Sequence, residues 1–274
     1  MIICVLLCGL LVKAEDCEEA PQSPIDIASP FKYLDPKIEF YFGYQTNAIL
    51  YHDGNSLKVD GDFGTFKYQN SNFWAVDLVF KQPSEHTLDG VYLPMEMQVS
   101  FRDQYENLSV VVAFFSNSTE SQFLNEVGFG NPQLKEATSG SLFKINTVLD
   151  LGGFLGYPVS YLYYTGTTTV TPCETNVTWI ILTDTYKASP DQLENFPQNL
   201  YGNTREVQSK EGREIYTNVK EATYTEPEIS SSDGENLMED LTLGQTYKDV
   251  NDDFIIEYES YKEEFPTVDS IYSN

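Results

Sequence analysis

Histidine is scarce in this chain of 274 residues, occurring only at His52 and His86. Two imidazoles cannot supply a site that needs three on one metal ion. Cysteine is nearly as rare: Cys4 and Cys8 lie in an N-terminal apolar run, which leaves Cys17 and Cys173 as the pair of a processed chain. Four-cysteine metal centres are thereby excluded. Positive charge is short as well, with 16 Lys and Arg against 42 Asp and Glu and a formal net charge of −26. That balance repels phosphate and sulfate polymers and excludes nonspecific nucleic-acid binding. No hydrophobic run reaches the roughly 20 residues needed to cross a bilayer, so no membrane span is expected.

The apolar run Met1 to Leu11 is followed by Val12-Lys13-Ala14 and then by the acidic Glu15-Asp16. Residues 1–14 are expected to be a signal peptide cut after Ala14, although the usual basic start is missing. The product is expected to be secreted and extracellular. Three sequons agree with that route: Asn107-Leu-Ser109, Asn117-Ser-Thr119 and Asn176-Val-Thr178. Asn117 sits in a Ser/Asn-rich turn and is the expected acceptor, whereas Asn107 and Asn176 adjoin strands that can hide them. In an oxidising compartment Cys17 and Cys173 are expected to pair, stabilising the fold by roughly 3–5 kcal/mol.

The middle of the chain is written in short period-two segments: 57–59, 73–81, 96–101, 108–115, 160–164 and 177–182, with Asp53-Gly54-Asn55 and Asp89-Gly90 near bends. Their Val, Tyr, Phe and Thr content predicts an extensive sheet. Only 121–127 and 190–199 carry helical signals, the second opened by Ser189-Pro190-Asp191. Residues 15–219 therefore read as one large β-rich domain. From residue 220 the composition changes, and 221–274 holds 15 acids against two lysines, a balance of −13. This acidic tail is expected to be disordered. Its Phe254-Ile255-Ile256, Tyr258, Tyr261 and Phe265 interrupt the acids with anchors for a partner.

Three blocks, in order, carry a resemblance. Gln22-Ser23-Pro24-Ile25-Asp26-Ile27 opens the processed chain; Ser84-Glu85-His86-Thr87-Leu88-Asp89-Gly90 is followed by Met95-Glu96-Met97; and Tyr164-Thr165-Gly166-Thr167-Thr168-Thr169-Val170-Thr171-Pro172-Cys173 runs on to Val177-Thr178-Trp179. Together with Asn203-Thr-Arg205-Glu-Val207-Gln208 and Arg213, they resemble the α-class carbonic anhydrases over roughly residues 17–218. The resemblance implies a mostly β fold with short helices, built on a central twisted, mainly antiparallel sheet. It also implies a zinc ion at the bottom of a cone, held by a His-x-His pair on one strand and a third histidine on the next.

Alternate strand residues share a face, so ligands at i and i+2 can converge on one ion. Counting back from Ser84-Glu85-His86, the paired histidines fall on Val79 and Lys81; counting from Glu96, the third falls on Gln98. Valine has no donor atom, an amide is a poor zinc ligand, and a protonated lysine repels a cation. The resemblance places Glu85 and Thr169 where an acid and a hydroxyl orient zinc-bound hydroxide, and Glu96 where an acid supports a metal histidine. It places the proton-shuttle histidine on Asn55, which cannot relay a proton at neutral pH. Thr168 stands where a leucine lines the carbon dioxide pocket, while Val112 and Trp179 keep apolar character. If Lys81 faces the cone floor, its ammonium substitutes for part of the metal charge and pairs with Glu85 or Glu96. His86 reads as a hydrogen-bonded structural imidazole, and His52 as a solvated turn residue.

The expected function is therefore a secreted carbonic anhydrase-like pseudoenzyme, a binding or structural module with no zinc cofactor and no carbon dioxide hydration. The expected partner is an extracellular protein, or a calcium or mineral surface reached through the tail acids Asp249, Asp252 and Asp253. Acids beside Tyr258 and Tyr261 also suit tyrosine sulfation. Two other readings stand beside this one: an enzyme with an unconventional metal site around Asp77, Glu85 and Glu96, and an acidic matrix protein that binds calcium.

Overall fold

The computed structural model describes residues 21–157, 159–202 and 204–220. The leader 1–14, Cys17 and the acidic residues from 221 onward lie outside the described residues. The chain divides into two units, Met1–Thr223 and Tyr224–Asn274, and every described residue belongs to the first. Among the described residues no helix is long and apolar enough to cross a membrane.

The fold is mostly β, built on a large twisted sheet. Along its main path the strands run Leu142–Lys144, Ile49–His52, Leu57–Asp60, Ser71–Lys81, Met95–Asp103, Leu108–Asn117, Thr175–Ala188, Tyr161–Thr167, Tyr216–Thr217 and Lys32–Tyr33. Most neighbours are antiparallel, but Leu108–Asn117 and Thr175–Ala188 are parallel, as are the last two strands of the path. Each of the six strand segments expected from alternation corresponds to an observed strand, generally longer by one to several residues at its ends.

Period-two alternation sorts side chains onto two faces. Leu78, Phe80, Met97, Val99, Val111, Ala113, Ile180 and Leu182 turn to one face and form a large apolar core with the rings of Phe66, Phe101 and Phe115. Val110, Val112, Phe114, Trp179 and Ile181 turn to the other, where Ile25, Ile27, Tyr164 and Ile215 cover them. Val79, Lys81, Glu96 and Gln98 alternate with the first set and so belong to the second face. Cross-strand register then sets their neighbours: Lys58 opposes Val79, Val79 opposes Gln98, and Lys81 opposes Glu96.

The helices are short. Gln122–Val127 and Pro190–Glu194 fall where the sequence signals them, and Leu151–Leu155 is an addition. Ser189 starts Pro190–Glu194 with a capping box, its hydroxyl accepting from Gln192 N–H while the Gln192 side chain accepts from Ser189 N–H. Removing such a cap costs about 1 kcal/mol. Gln192 is buried, and its amide also donates to Ser121 O and Asn125 Oδ1, which ties the two helices together.

Two expectations are corrected. His52 is not a solvated turn residue: it ends the Ile49–His52 strand and is 1% exposed. Its Nδ1 accepts from Gly54 N–H at 2.9 Å and its Nε2 meets the Asn199 side-chain amide at 3.1 Å, so the turn begins one residue later. Asn107 and Asn176 are not hidden by their strands, since both are exposed, as Asn117 is. Asn107 lies in the turn before Leu108–Asn117, and Asn176 takes a positive φ of 61° near the start of its strand.

Candidate functional site: a polar cone on the second face

The second face opens into a cavity of about 490 Å³ lined by Asp53, Asn55, Ser56, Lys58, Lys81, Glu85, Thr169, Val170, Thr171, Thr204 and Arg205. A deeper compartment of about 100 Å³ shares Ser56, Lys58, Lys81, Thr169 and Val170 and adds Asp77, Val79, Gln98, Ser100, Leu108, Val110, Thr168 and Trp179. Val79, Lys81 and Gln98, separated in sequence, thus come together at the floor of one cavity.

The floor is a closed hydrogen-bond network. Lys81 Nζ lies 3.0 Å from Glu85 Oε1, and the two side chains are 6% and 1% exposed. Gln98 Nε2 donates to Glu85 Oε2 and to Glu96 Oε1, each at 2.9 Å, so one NH2 group spans both acids. Glu96 Oε2 accepts the backbone N–H groups of Glu85 (3.0 Å) and His86 (2.9 Å), and Oε1 also meets His86 Nδ1 at 3.0 Å. The sequence folds this way because Ser84 closes the intervening turn: its Oγ donates to His86 O at 2.6 Å and accepts from Leu93 N–H.

Electrostatics follow from burial. Burial pushes the Glu96 carboxyl up, but the His86 ring, the Gln98 amide and the backbone N–H of His86 outweigh it and hold Glu96 below its ordinary range. Asp77 goes the other way: burial raises it, only partly opposed by the Ser100 hydroxyl and Lys58. Its Oδ1 is buried without a hydrogen-bond partner, while Oδ2 lies 3.8 Å from Lys58 Nζ.

His86 is the hydrogen-bonded structural imidazole that the motif implies, fully buried and linked through Nε2 to the Tyr164 hydroxyl at 2.7 Å. Tyr164 donates in turn to Ser23 Oγ, and burial holds its hydroxyl well above the ordinary tyrosine range. Asp26 Oδ1 accepts from the Thr87 hydroxyl and Gly90 N–H. The three sequence blocks therefore meet around one buried imidazole. Thr169 lines both compartments, but both Glu85 oxygens are engaged with Lys81 and Gln98. The Thr168 hydroxyl donates to Val170 O and accepts from Glu174 N–H, so it holds its own loop in shape.

Sequence reading did not assign Lys58 or Arg205 to the site. Strand parity marks Lys58, which alternates with the buried Leu57 and Val59; Arg205 enters from the closing segment, its Nη1 donating to Ser23 O at 2.8 Å. Asn55 stands at the cavity mouth.

A twisted sheet with a cone opening on one face, the Ser-Glu-His-Thr turn folded under its floor and the 168–172 loop after the Tyr161–Thr167 strand along its wall, defines a protein of the carbonic anhydrase class. Residues 12–219 match the eukaryotic-type carbonic anhydrases, and the chain belongs to that family. A carbonic anhydrase of Klebsiella pneumoniae is 29% identical over 199 residues, covering 71% of this chain and 78% of that protein. A carbonic anhydrase of Nostoc sp. is 29% identical over 167 residues, covering 60% of this chain and 62% of that one. Among solved structures, the α-carbonic anhydrase of Thermovibrio ammonificans, in complex with the inhibitor sulfanilamide, superposes with a TM-score of 0.64 at 28% identity, covering 72% of this chain and 86% of that one.

Proposed function

We propose that this chain is a secreted carbonic anhydrase-like pseudoenzyme that serves as a binding or structural module and does not hydrate carbon dioxide. One observation carries the reading: the Lys81 ammonium sits 3.0 Å from Glu85 at a position where the family resemblance implies a zinc-binding imidazole. The donor set does not fit zinc. Val79 offers no lone pair, Lys81 offers N–H groups, and the Gln98 nitrogen is committed to Glu85 and Glu96. The ammonium supplies positive charge beside the buried Glu85 carboxyl, while Glu96 is held by the His86 ring, the Gln98 amide and two backbone N–H groups.

A carboxylate-based metal site around Asp77, Glu85 and Glu96 is disfavoured by the same bonds, because four donors already occupy the Glu96 oxygens. Secretion is supported by the apolar leader, by three exposed sequons and by Cys173, which is disulfide-bonded. The proposed partner of Cys173 is Cys17. We assign partner binding to the acidic tail, with an extracellular protein or a calcium-rich surface as its target. The function is tested by zinc analysis and stopped-flow carbon dioxide hydration on the secreted protein: no stoichiometric zinc and a background rate are expected, and zinc together with hydration above background would defeat the reading.

A further inference from the structure

At the end of Ser71–Lys81 away from Lys81, the sheet leaves a row of side chains uncovered. Register aligns four residues across four neighbouring strands: Tyr41 of Glu39–Phe42, Thr65 of Gly64–Tyr68, Trp74 of Ser71–Lys81 and Arg102 of Met95–Asp103. Residues opposed in a ladder share a face, and this one is opposite to that of the buried Phe40, Phe66 and Phe73. Tyr41 is 60% exposed and Trp74 is 45% exposed, and none of the four lines either compartment of the cone. Two strand spacings set Tyr41 and Trp74 about 10 Å apart. The Tyr41 hydroxyl donates to Glu39 Oε2 at 3.1 Å, two residues back on the same face, which draws the ring along its strand. The Trp74 indole N–H and the Thr65 hydroxyl make no hydrogen bond among the described residues.

Charge decides what such a row can hold. Glu39 opposes Lys67, and Arg102 makes two hydrogen bonds to Glu174 and lies 3.9 Å from Glu106. These two cations and three acids leave no positive excess, in a chain whose net charge is −26, so an anionic ligand is disfavoured. We propose that the row is a platform for a neutral β-1,4-linked glycan, whose sugar rings stack on Tyr41 and Trp74 and whose hydroxyls meet Thr65, the exposed Asn72 and the indole N–H. Equatorial hydroxyls leave each such sugar an apolar face of C–H groups, which the negative face of an aromatic ring attracts. Two linked sugars span about the separation that the strands impose on the two rings. The inference stands apart from the cone and does not depend on what occupies its floor.

Isothermal titration calorimetry of the full chain with cellohexaose and, separately, with chitohexaose tests the proposal. Saturable binding to at least one is expected, and the tighter ligand identifies the sugar. Maltohexaose, whose α-linkages curl the chain, and an anionic heparin hexasaccharide should each bind at least about tenfold more weakly. Trp74→Ala and Tyr41→Ala change exposed side chains and should each weaken binding at least about fivefold. Tyr201→Ala, at a 67% exposed tyrosine outside the row, should leave it unchanged. No saturable binding to either β-linked glycan, equal binding of maltohexaose, preference for heparin, or indifference to either ring variant would overturn the proposal. Sedimentation velocity on the same samples reads the competing occupant, a second copy of the chain: a dimer that Trp74→Ala dissociates, with no response to glycan, would assign the face to self-association instead.

Discussion

Two ion pairs of nearly equal length offer a direct test of what the cone floor does. Lys81–Glu85 spans 3.0 Å with side chains 6% and 1% exposed, and Lys135–Glu194 spans 2.9 Å with side chains 30% and 70% exposed. Replacing Lys81 by Met leaves Glu85 buried with one hydrogen bond from the Gln98 amide and a long contact to Arg205 N–H. Breaking a buried pair in this way costs about 3–5 kcal/mol. With a urea slope of about 2 kcal/mol per molar, that is a fall in the unfolding midpoint of about 1.5–2.5 M. Lys135→Met breaks a pair that water already screens, and its midpoint should stay within error of the parent. Adding Glu85→Gln to Lys81→Met removes the stranded charge and should restore most of the loss, giving a large coupling energy in a double-mutant cycle. Urea unfolding at pH 7, followed by circular dichroism, reads all five proteins, with Glu85→Gln alone closing the cycle. Equal losses for Lys81→Met and Lys135→Met, or no recovery in the double variant, would refute the reasoning.

Glu96 is held below its ordinary value of 4.5, so its contribution to stability is complete above that pH and is lost as pH falls through the lowered folded value. Glu96→Gln should cost about 1–3 kcal/mol at pH 7 and much less at pH 3, measured by denaturant titration across that range. The triple change Val79→His, Lys81→His and Gln98→His places three imidazoles on one face of two paired strands and should create a zinc site; isothermal titration calorimetry should find one zinc per chain in it and none in the parent. Cys173→Ser should lower stability by roughly 3–5 kcal/mol in the secreted protein, read as a fall in unfolding midpoint. Asn117→Gln should remove one glycan from the intact mass.

The sheet was legible because alternation is a local property: residues 73–81 and 96–101 show their two faces without any knowledge of what packs on them. The resemblance placed Val79, Lys81 and Gln98 at one site, with Lys81 expected to pair with Glu85 or Glu96, and the structure pairs it with Glu85. The Gln98 bridge was harder to see. It depends on the Ser84 turn folding the Glu85 and His86 N–H groups onto Glu96, a contact across the turn that strand period does not encode. His52 was misread because Tyr-His-Asp-Gly looks like a turn, yet Asn199, some 147 positions away, comes to the imidazole. Accessibility at Asn107 and Asn176 was misjudged for a similar reason, since adjoining a strand does not bury a residue at its mouth. Arg205 gave no local signal as a cone residue, because it reaches the cavity from the closing segment, far in sequence from Lys58 and Lys81.

The central claim is that an ammonium, an amide and an aliphatic side chain occupy the floor on which a metal would otherwise rest. It is tested most directly by saturating the purified protein with zinc, removing the excess and recording X-ray anomalous scattering at the zinc edge. The account predicts no peak between Val79, Lys81 and Gln98, with Lys81 in contact with Glu85. A well-occupied zinc ion there, with Lys81 displaced from Glu85, would contradict it.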